Sequence, residues 1–163
     1  MPEYTFENTS RRAKAGPITL HFNEAGPTAE ESPNRKTVVF LHGGGPGASS
    51  WSNFKQNLAS FATDFHCILL DMPGFGLSDK PEISKQFFEY AADSIVALLD
   101  ELGIEKTHLV GNSLGGGAAD VCCRFVRVMW RIGTFRVRAR RDHGPLHRAK
   151  HRLTGGVVGT SQA

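Results

Sequence analysis

Short apolar segments alternate with helical patterns over the first two thirds of the chain. Residues 37–41, 67–70 and 108–111 are brief, mainly apolar runs, which is typical of strands buried on both faces of a sheet. Residues 50–61 and 87–102 carry apolar side chains at the spacing of one helical face. This alternation predicts an α/β fold whose sheet is mostly parallel.

Weaker patterns predict three further features. Residues 17–24 alternate apolar and polar side chains, as a half-buried strand does. Gly103 is expected to cap the helix that precedes it, and another helix is expected to begin near Leu114.

Three glycine-bearing turns follow directly after the three apolar runs, at residues 42–47, 71–76 and 111–115. The carboxyl ends of parallel strands meet at one edge of a sheet, and ligands bind outside that edge. We therefore expect the three turns to surround one site.

The turn Gly111-Asn112-Ser113-Leu114-Gly115 has the pattern of a nucleophile elbow. A serine between a strand and a helix must turn sharply, and glycines two positions away on either side remove side chains that would collide. The start of the following helix offers free N–H groups, and the N–H of Leu114 is the natural first donor to an oxyanion. Ser113 is therefore the candidate nucleophile.

The glycine-rich loop at residues 42–47 predicts a second source of oxyanion donors. Only glycines let a backbone approach a nucleophile closely, so Gly44 and Gly45 are the candidate donors. The loop lacks the Gly-Lys-Ser/Thr ending of a phosphate-binding loop and the spacing of a dinucleotide site. His42 and Asp71 are expected to be structural, and Asp71 also precedes the serine, whereas the acid follows it in this type of site.

Three segments together, LHGGGPGASSWSNF, LLDMPGFGLSDK and LVGNSLGGG, resemble the meta-cleavage product hydrolases. These are α/β-hydrolases that break a carbon–carbon bond in ring-opened aromatic or steroid catabolites. The resemblance covers about residues 17–120, and the second and third segments look most like the actinobacterial enzymes.

The resemblance implies a 2-hydroxy-6-oxo-2,4-dienoate as substrate. Such a compound is ketonised, water is added, and the bond splits into a hydroxydienoate and a carboxylic acid. Carried over by position, Ser113 is the catalytic serine, and Gly44, Gly45 and Leu114 supply backbone donors. Asn53 and Asn112 correspond to polar substrate contacts. The family needs no metal or organic cofactor, and its members usually form oligomers.

Composition and length agree with one globular α/β domain. The chain has 163 residues, of which 40% are hydrophobic and 21% charged. Residues 1–16 contain no apolar stretch, and no run of about 18 apolar residues occurs elsewhere, so we expect neither a signal nor a membrane span, and a cytoplasmic protein. Three cysteines, two of them adjacent, match neither a disulfide framework nor a metal-binding pair.

The last 43 residues differ abruptly from the rest. Residues 1–120 hold 9 basic and 15 acidic side chains, whereas residues 121–163 hold 10 basic side chains and one acidic one. We expect residues 1–120 to be the N-terminal half of a hydrolase domain that stops after the elbow helix. Residues 121–163 are interpreted as out-of-frame translation or a disordered tail. A basic helix or a nucleic-acid-binding arm is the alternative, although nucleic acid is not the expected partner.

The tail contains Asp142, His143, His147 and His151, but no buried strand separates the aspartate from the histidines, so we do not assign a triad to them. The sheet would then have open edges, and we expect a poorly stable chain that lacks an acid and a base. A serine ester or amide hydrolase of the same fold, or a non-catalytic fragment, are the alternatives.

Overall fold

The strands and helices predicted from the hydrophobic pattern are all present in the computed structural model, which describes residues 3–125 and 135–138, with side chains through residue 123. The elements in chain order are α1 (Phe6–Thr9), β1 (Ser10–Ala15), β2 (Ile18–Ala25), β3 (Lys36–Leu41), α2 (Ser50–Phe61), β4 (Phe65–Leu70), α3 (Phe87–Glu101), β5 (Lys106–Gly111), α4 (Leu114–Phe125) and β6 (Phe135–Arg138). Of these, α1, β1 and β6 were not predicted.

The six described strands form one mixed sheet in the order β1-β2-β4-β3-β5-β6. The central strands β4, β3 and β5 are parallel, as predicted. Antiparallel pairs lie on both sides of them, so the expectation of a mostly parallel sheet holds only for the centre. On the side of β1 and β2, a turn at Gly16, with φ of 62°, folds β1 back on β2. Strand β2 in turn pairs antiparallel with β4.

Helices cover the two faces of the sheet unequally. On one face, α3 and α4 pack over a large apolar cluster that includes Leu41, Leu70 and Leu109. On the other face, α2 packs over a smaller cluster that includes Val38, Phe40 and Leu69. This two-layer cover explains why the inner strands are apolar on both faces.

The second strand is more deeply buried than its sequence predicts. His21 and Asn23 occupy the polar positions of β2, yet they are as buried as its apolar residues. The Asn23 amide donates to the Thr9 hydroxyl, and His21 contacts Asp71. The interpretation of 17–24 as half-buried was therefore wrong, because α1 and the turn after β4 cover its polar side.

The end of helix α3 has the cap that the sequence predicts. Helix α3 ends in a Schellman motif, with Gly103 at φ of 65° and the Ile104 amide donating to the Leu99 carbonyl at 2.8 Å.

Strand β1 was missed because Arg11, Arg12 and Lys14 leave it with few apolar positions, and such charged residues are common on an edge strand.

The part of the chain beyond residue 120 is described only to residue 125 and at 135–138. Helix α4 continues through Phe125 without a break at residue 120, and β6 pairs antiparallel with β5. Asp142, His143, His147 and His151 lie outside the described residues, and the domain boundary at 120 stays a prediction. No helix within residues 3–125 combines the length and apolar character that crossing a bilayer requires.

The core position of Leu98 in α3 gives a stability prediction. This side chain is 1% exposed, so Leu98→Ala should lower the free energy of unfolding by about 2–5 kcal/mol, because it removes apolar contacts and leaves a cavity. Leu77 is 51% exposed, and Leu77→Ala should change that free energy by less than about 0.5 kcal/mol. Urea unfolding followed by tryptophan fluorescence measures both, and equal effects would contradict the assigned core.

Candidate active site

The turn between β5 and α4 has the strained geometry of a nucleophile elbow. Ser113 has φ of 49°, and it is the one non-glycine residue at positive φ among the described residues. This left-handed conformation costs about 1–3 kcal/mol for a residue with a side chain, so the surrounding structure must enforce it.

Close backbone packing on either side of Ser113 enforces that conformation. A Cβ atom on Gly111 would lie 2.5 Å from the carbonyl carbon of Gly115. A Cβ atom on Gly115 would lie 2.5 Å from the carbonyl carbon of Leu41 and 2.8 Å from the His42 carbonyl oxygen. Helix α4 therefore starts directly against the end of β3, which only glycine permits at these two positions.

The elbow presents the Ser113 side chain and several free amides on the surface. Ser113 is exposed, and its hydroxyl makes no hydrogen bond with any described residue. The N–H groups of Leu114, Gly44 and Gly45 likewise donate to no acceptor within the described part of the chain. A Cβ atom on Gly44 would lie 3.3 Å from a methyl of Leu114, so the glycine loop and the elbow are in contact. These amides are available to an oxyanion formed beside Ser113.

Asn53 joins the glycine loop to the elbow. Its Oδ1 atom accepts a hydrogen bond from the Gly43 amide at 3.0 Å and another from Asn112 Nδ2 at 3.0 Å. The resemblance implied only a polar substrate contact for Asn53, and the structure places it between the two loops. Both hydrogen bonds of its Oδ1 atom are made within the protein, and they connect the two loops.

His42 is a structural residue. Its Nε2 accepts from the Met72 amide at 3.1 Å, so its Nδ1 carries the proton and donates to the Gly43 carbonyl at 2.8 Å. Burial lowers the pKa of His42, which favours this neutral form. Both ring nitrogens are in use, and the ring therefore cannot take a proton from Ser113.

Asp71 joins β2, the start of α2 and the turn after β4. Its carboxylate accepts from His21 Nδ1 at 2.8 Å, from the Ser50 amide at 2.8 Å and from the Leu77 amide at 3.1 Å. Burial alone would raise the pKa of Asp71, but these hydrogen bonds together outweigh it and lower the pKa below its usual value. The charged carboxylate is thus part of the folded structure, as expected for a structural residue.

Sequence reasoning missed a second serine–histidine–aspartate arrangement, Ser10–His21–Asp71. The Ser10 hydroxyl lies 2.9 Å from His21 Nε2, while His21 Nδ1 contacts Asp71. Strand β2 is three positions from β5 in the sheet, about 14 Å at the usual strand spacing, so His21 does not reach Ser113. No signal in the sequence pairs residues 10, 21 and 71, because their contact depends on the β1–β2 turn.

The cysteines lie away from this site. Cys67, Cys122 and Cys123 are buried free thiols. Burial raises the pKa of Cys67 to about 12 and that of Cys123 to about 11, so both are thiols at neutral pH. Within residues 3–123, no group of three or more metal-binding side chains is present.

The close approach at Gly115 gives a prediction with a neighbouring control. Gly115→Ala should lower the free energy of unfolding by about 1–3 kcal/mol or more and displace the elbow, because the new methyl meets backbone atoms of β3. At Gly116, a Cβ atom would make only ordinary contacts, the nearest at 3.6 Å. Gly116→Ala should therefore stabilise the helix by up to about 1 kcal/mol. Thermal unfolding of both variants measures the difference, and equal midpoints would contradict the packing described.

The buried carboxylate of Asp71 predicts how stability depends on pH. Because its pKa is lower in the folded state than in the unfolded chain, its stabilisation is complete above about pH 4 and is lost as the pH falls through the folded value. Glu24, whose pKa is lowered first by its hydrogen bond with His66, contributes in the same direction.

We therefore expect Asp71→Asn to lose about 1.5–3 kcal/mol at pH 7 and to show a shallower decline below pH 4 than the parent chain. Asp64→Asn, at an exposed position, is the matched control and should follow the parent. Urea unfolding between pH 2.5 and 7 provides the measurement. A parent-like acid decline in Asp71→Asn would contradict the assignment.

The sequence of this chain matches a hydrolase family and individual hydrolases. The family described as alpha/beta hydrolase fold matches residues 36–119. A 2-hydroxy-6-oxo-6-phenylhexa-2,4-dienoate hydrolase of Comamonas testosteroni is 42% identical over 125 residues, which are 73% of this chain and 41% of the relative. A 2-hydroxy-6-oxononadienedioate/2-hydroxy-6-oxononatrienedioate hydrolase of Paraburkholderia xenovorans (strain LB400) is 45% identical over 105 residues, 64% of this chain and 34% of the relative.

Solved structures give the same result. The 2-hydroxy-6-oxo-6-phenylhexa-2,4-dienoate hydrolase of Rhodococcus sp. strain RHA1 superposes with a TM-score of 0.63 and 33% identity, over 70% of this chain and 40% of that one. A haloalkane dehalogenase of Bradyrhizobium elkanii superposes with a TM-score of 0.58 and 32% identity, over 71% of this chain and 37% of that one. The chain spans between 34% and 41% of the length of these relatives. It belongs to the α/β-hydrolase family and is homologous to the N-terminal part of the meta-cleavage product hydrolases.

Proposed function

We propose that this chain carries the nucleophile and oxyanion donors of a hydrolase that cleaves a carbon–carbon bond in a meta-ring-fission product. The observation that carries the proposal is the strained Ser113 beside the free amides of Leu114, Gly44 and Gly45. The relatives named for 2-hydroxy-6-oxo-dienoate hydrolysis support the substrate class, since they match the chain over this part.

The proposed chemistry follows from the position of these groups. The 6-oxo carbonyl of the ketonised substrate lies beside Ser113. Its oxygen becomes negatively charged when the Ser113 oxygen, having given its proton to a base, adds to the carbonyl carbon. Amides of Leu114 and the glycine loop stabilise that charge where it forms. Collapse of the adduct breaks the adjacent carbon–carbon bond, and a proton completes the dienol product. The carbonyl half remains as an acyl ester on Ser113, and water then hydrolyses this ester, which releases the carboxylic acid and restores the serine hydroxyl.

Asn112 and Asn53 support this chemistry in different ways. Asn112 is exposed next to the nucleophile, where its amide can contact a polar end of the substrate. Asn53 holds both the Gly43 backbone and the Asn112 side chain, so it sets the separation between the donors and Ser113. A direct contact of Asn53 with substrate stays a prediction.

The described residues supply no group that activates Ser113. His42 uses both nitrogens within the fold, and Asp71 and His21 lie two and three strands away from β5. Because proton transfer to and from the nucleophile contributes several orders of magnitude to the rate, we propose that the 163-residue chain alone hydrolyses dienoates very slowly.

The bacterial type of the enzyme, its exact substrate, its location and its assembly stay predictions. An actinobacterial type of enzyme is supported by the segments DMPGFGLSDK and GNSLGGG. A steroid-derived or a simpler aromatic-derived dienoate is compatible with the described residues. The cytoplasmic location, the oligomeric assembly and the independence from cofactors are expectations from the sequence and its resemblance.

A chimera tests the proposed function. Residues 1–119 of this chain would be joined to the remaining part of the Comamonas testosteroni hydrolase, and hydrolysis of 2-hydroxy-6-oxo-6-phenylhexa-2,4-dienoate would be followed by loss of its dienolate absorbance. We expect turnover by the chimera and a loss of about 10³-fold or more in Ser113→Ala, because the nucleophile is removed. Ser60→Ala, at an exposed position of α2, should keep the parent rate.

The same chimera separates the alternatives. Turnover of a nitrophenyl ester without dienoate cleavage would favour an ester hydrolase. Unchanged dienoate turnover in Ser113→Ala would overturn the assignment of the nucleophile. For the intact 163-residue chain, salt-dependent retention on DNA would favour a binding role of the basic tail.

A further inference from the structure

The Ser10–His21–Asp71 arrangement lies on the face of the sheet that α2 covers. Ser10 of β1 pairs with Asn23 of β2, so their side chains lie on the same face of the sheet. His21 is two positions from Asn23 in the same strand, and its side chain therefore lies on that face as well. The Ser10 hydroxyl reaches His21 Nε2 diagonally across the two strands, at 2.9 Å.

Asp71 fixes the direction of the hydrogen bond between Ser10 and His21. Its charged carboxylate accepts from His21 Nδ1 at 2.8 Å, so the neutral ring carries its proton on Nδ1 and has a lone pair on Nε2. The Ser10 hydroxyl then donates to Nε2, which is the orientation in which an imidazole can take the proton of a hydroxyl. The amides of Ser50 and Leu77 hold the carboxylate in place, so Asp71 is a positioning residue and does not itself react.

The histidine is shielded from water, whereas the serine is open to a reagent. His21 is 1% exposed, and the Phe6 ring lies 5.5 Å from its ring, with Trp51 edge-on to Phe6 at 5.7 Å. Ser10 is half-buried, and its strand β1 pairs with β2 alone among the described strands. Phe6 and Trp51 are also half-buried, so an apolar group can contact them next to the histidine.

We propose that Ser10 is a second nucleophile of this chain, which accepts an apolar acyl group from an activated ester. Ser10 Oγ forms a bond to the carbonyl carbon of the ester, the bond from that carbon to the alcohol oxygen breaks, and this oxygen keeps the electron pair. The hydroxyl proton goes to His21 Nε2 and from there to the departing alcohol or to water. The products are an acyl ester of Ser10 and the free alcohol.

This site is the reverse of the one at Ser113. Ser10 has a base in contact, but it lies in extended backbone, with φ of −64° and ψ of 128°, and the glycine loop follows β3, two positions away from β2 in the sheet. We therefore expect acylation only by esters with a good leaving group, since the described residues offer no glycine loop beside Ser10.

Acylation of the complete 163-residue chain by 4-nitrophenyl butyrate tests the proposal. The Ser113→Ala variant would be used, so that the first candidate nucleophile cannot contribute, and acid-quenched samples would be analysed by peptide mass spectrometry. We expect butyrylation of Ser10 to be at least about 100-fold faster than that of Ser60, an exposed serine of α2 in the same molecule, because general-base assistance contributes at least that factor.

A variant of the base and a matched control separate activation from simple exposure. His21→Gln, which removes the base, should lower the acylation rate of Ser10 to that of Ser60. Lys14→Gln, at an exposed position of the same strand, should leave it unchanged. If His21→Gln does not fold, the Ser113→Ala chain in concentrated urea provides the same comparison, because unfolding separates Ser10 from His21.

Three results would overturn the proposal: equal rates at Ser10 and Ser60 in the folded chain, unchanged acylation of Ser10 in folded His21→Gln, or fast acylation of Ser10 in urea. All measurements are made without the Ser113 hydroxyl, so neither success nor failure bears on the proposed function.

Discussion

The approach of Gly115 to the end of β3 is the contact on which the candidate site depends. It fixes the start of α4 against the carbonyls of Leu41 and His42, and it leaves the chain between β5 and α4 only a tight left-handed turn at Ser113. The same approach brings Leu114 against Gly44, so the elbow and the glycine loop lie together. Nucleophile and oxyanion donors are therefore positioned by one backbone contact between the start of α4 and the end of β3.

Buried polar contacts keep the loops around that point in register. Asp71 ties the start of α2 to the turn after β4 and to β2, and His42 ties the glycine loop to the same turn. Each of these groups is satisfied within the fold, which makes the loops rigid but removes both side chains from chemistry. The buried side chains of Asp71 and His42 thus position the loops of the site, and Ser113 has no proton acceptor among the described residues.

The sequence predicted the elements whose apolar spacing is regular and the site whose glycines have a steric reason. Helix α2 was placed at residues 50–61 as observed, and the strain at Ser113 and the cap at Gly103 followed from local chemistry. The contacts of His21, Asn53 and Ser10 were not predictable, because they join residues distant in sequence through the order of the strands. Strand β1 and the buried polar face of β2 were missed for the same reason, since charge and alternation in a single strand do not reveal what packs on it.

A strained turn at the serine and a base that activates its hydroxyl are separate structural requirements. The turn at Ser113 needs only β3, β5, the first turn of α4, and the glycines at positions 111 and 115. All of these lie within residues 36–117. Activation also needs a proton acceptor that contacts the Ser113 hydroxyl. Among the described residues, the strained turn at Ser113 is therefore present without a proton acceptor beside it.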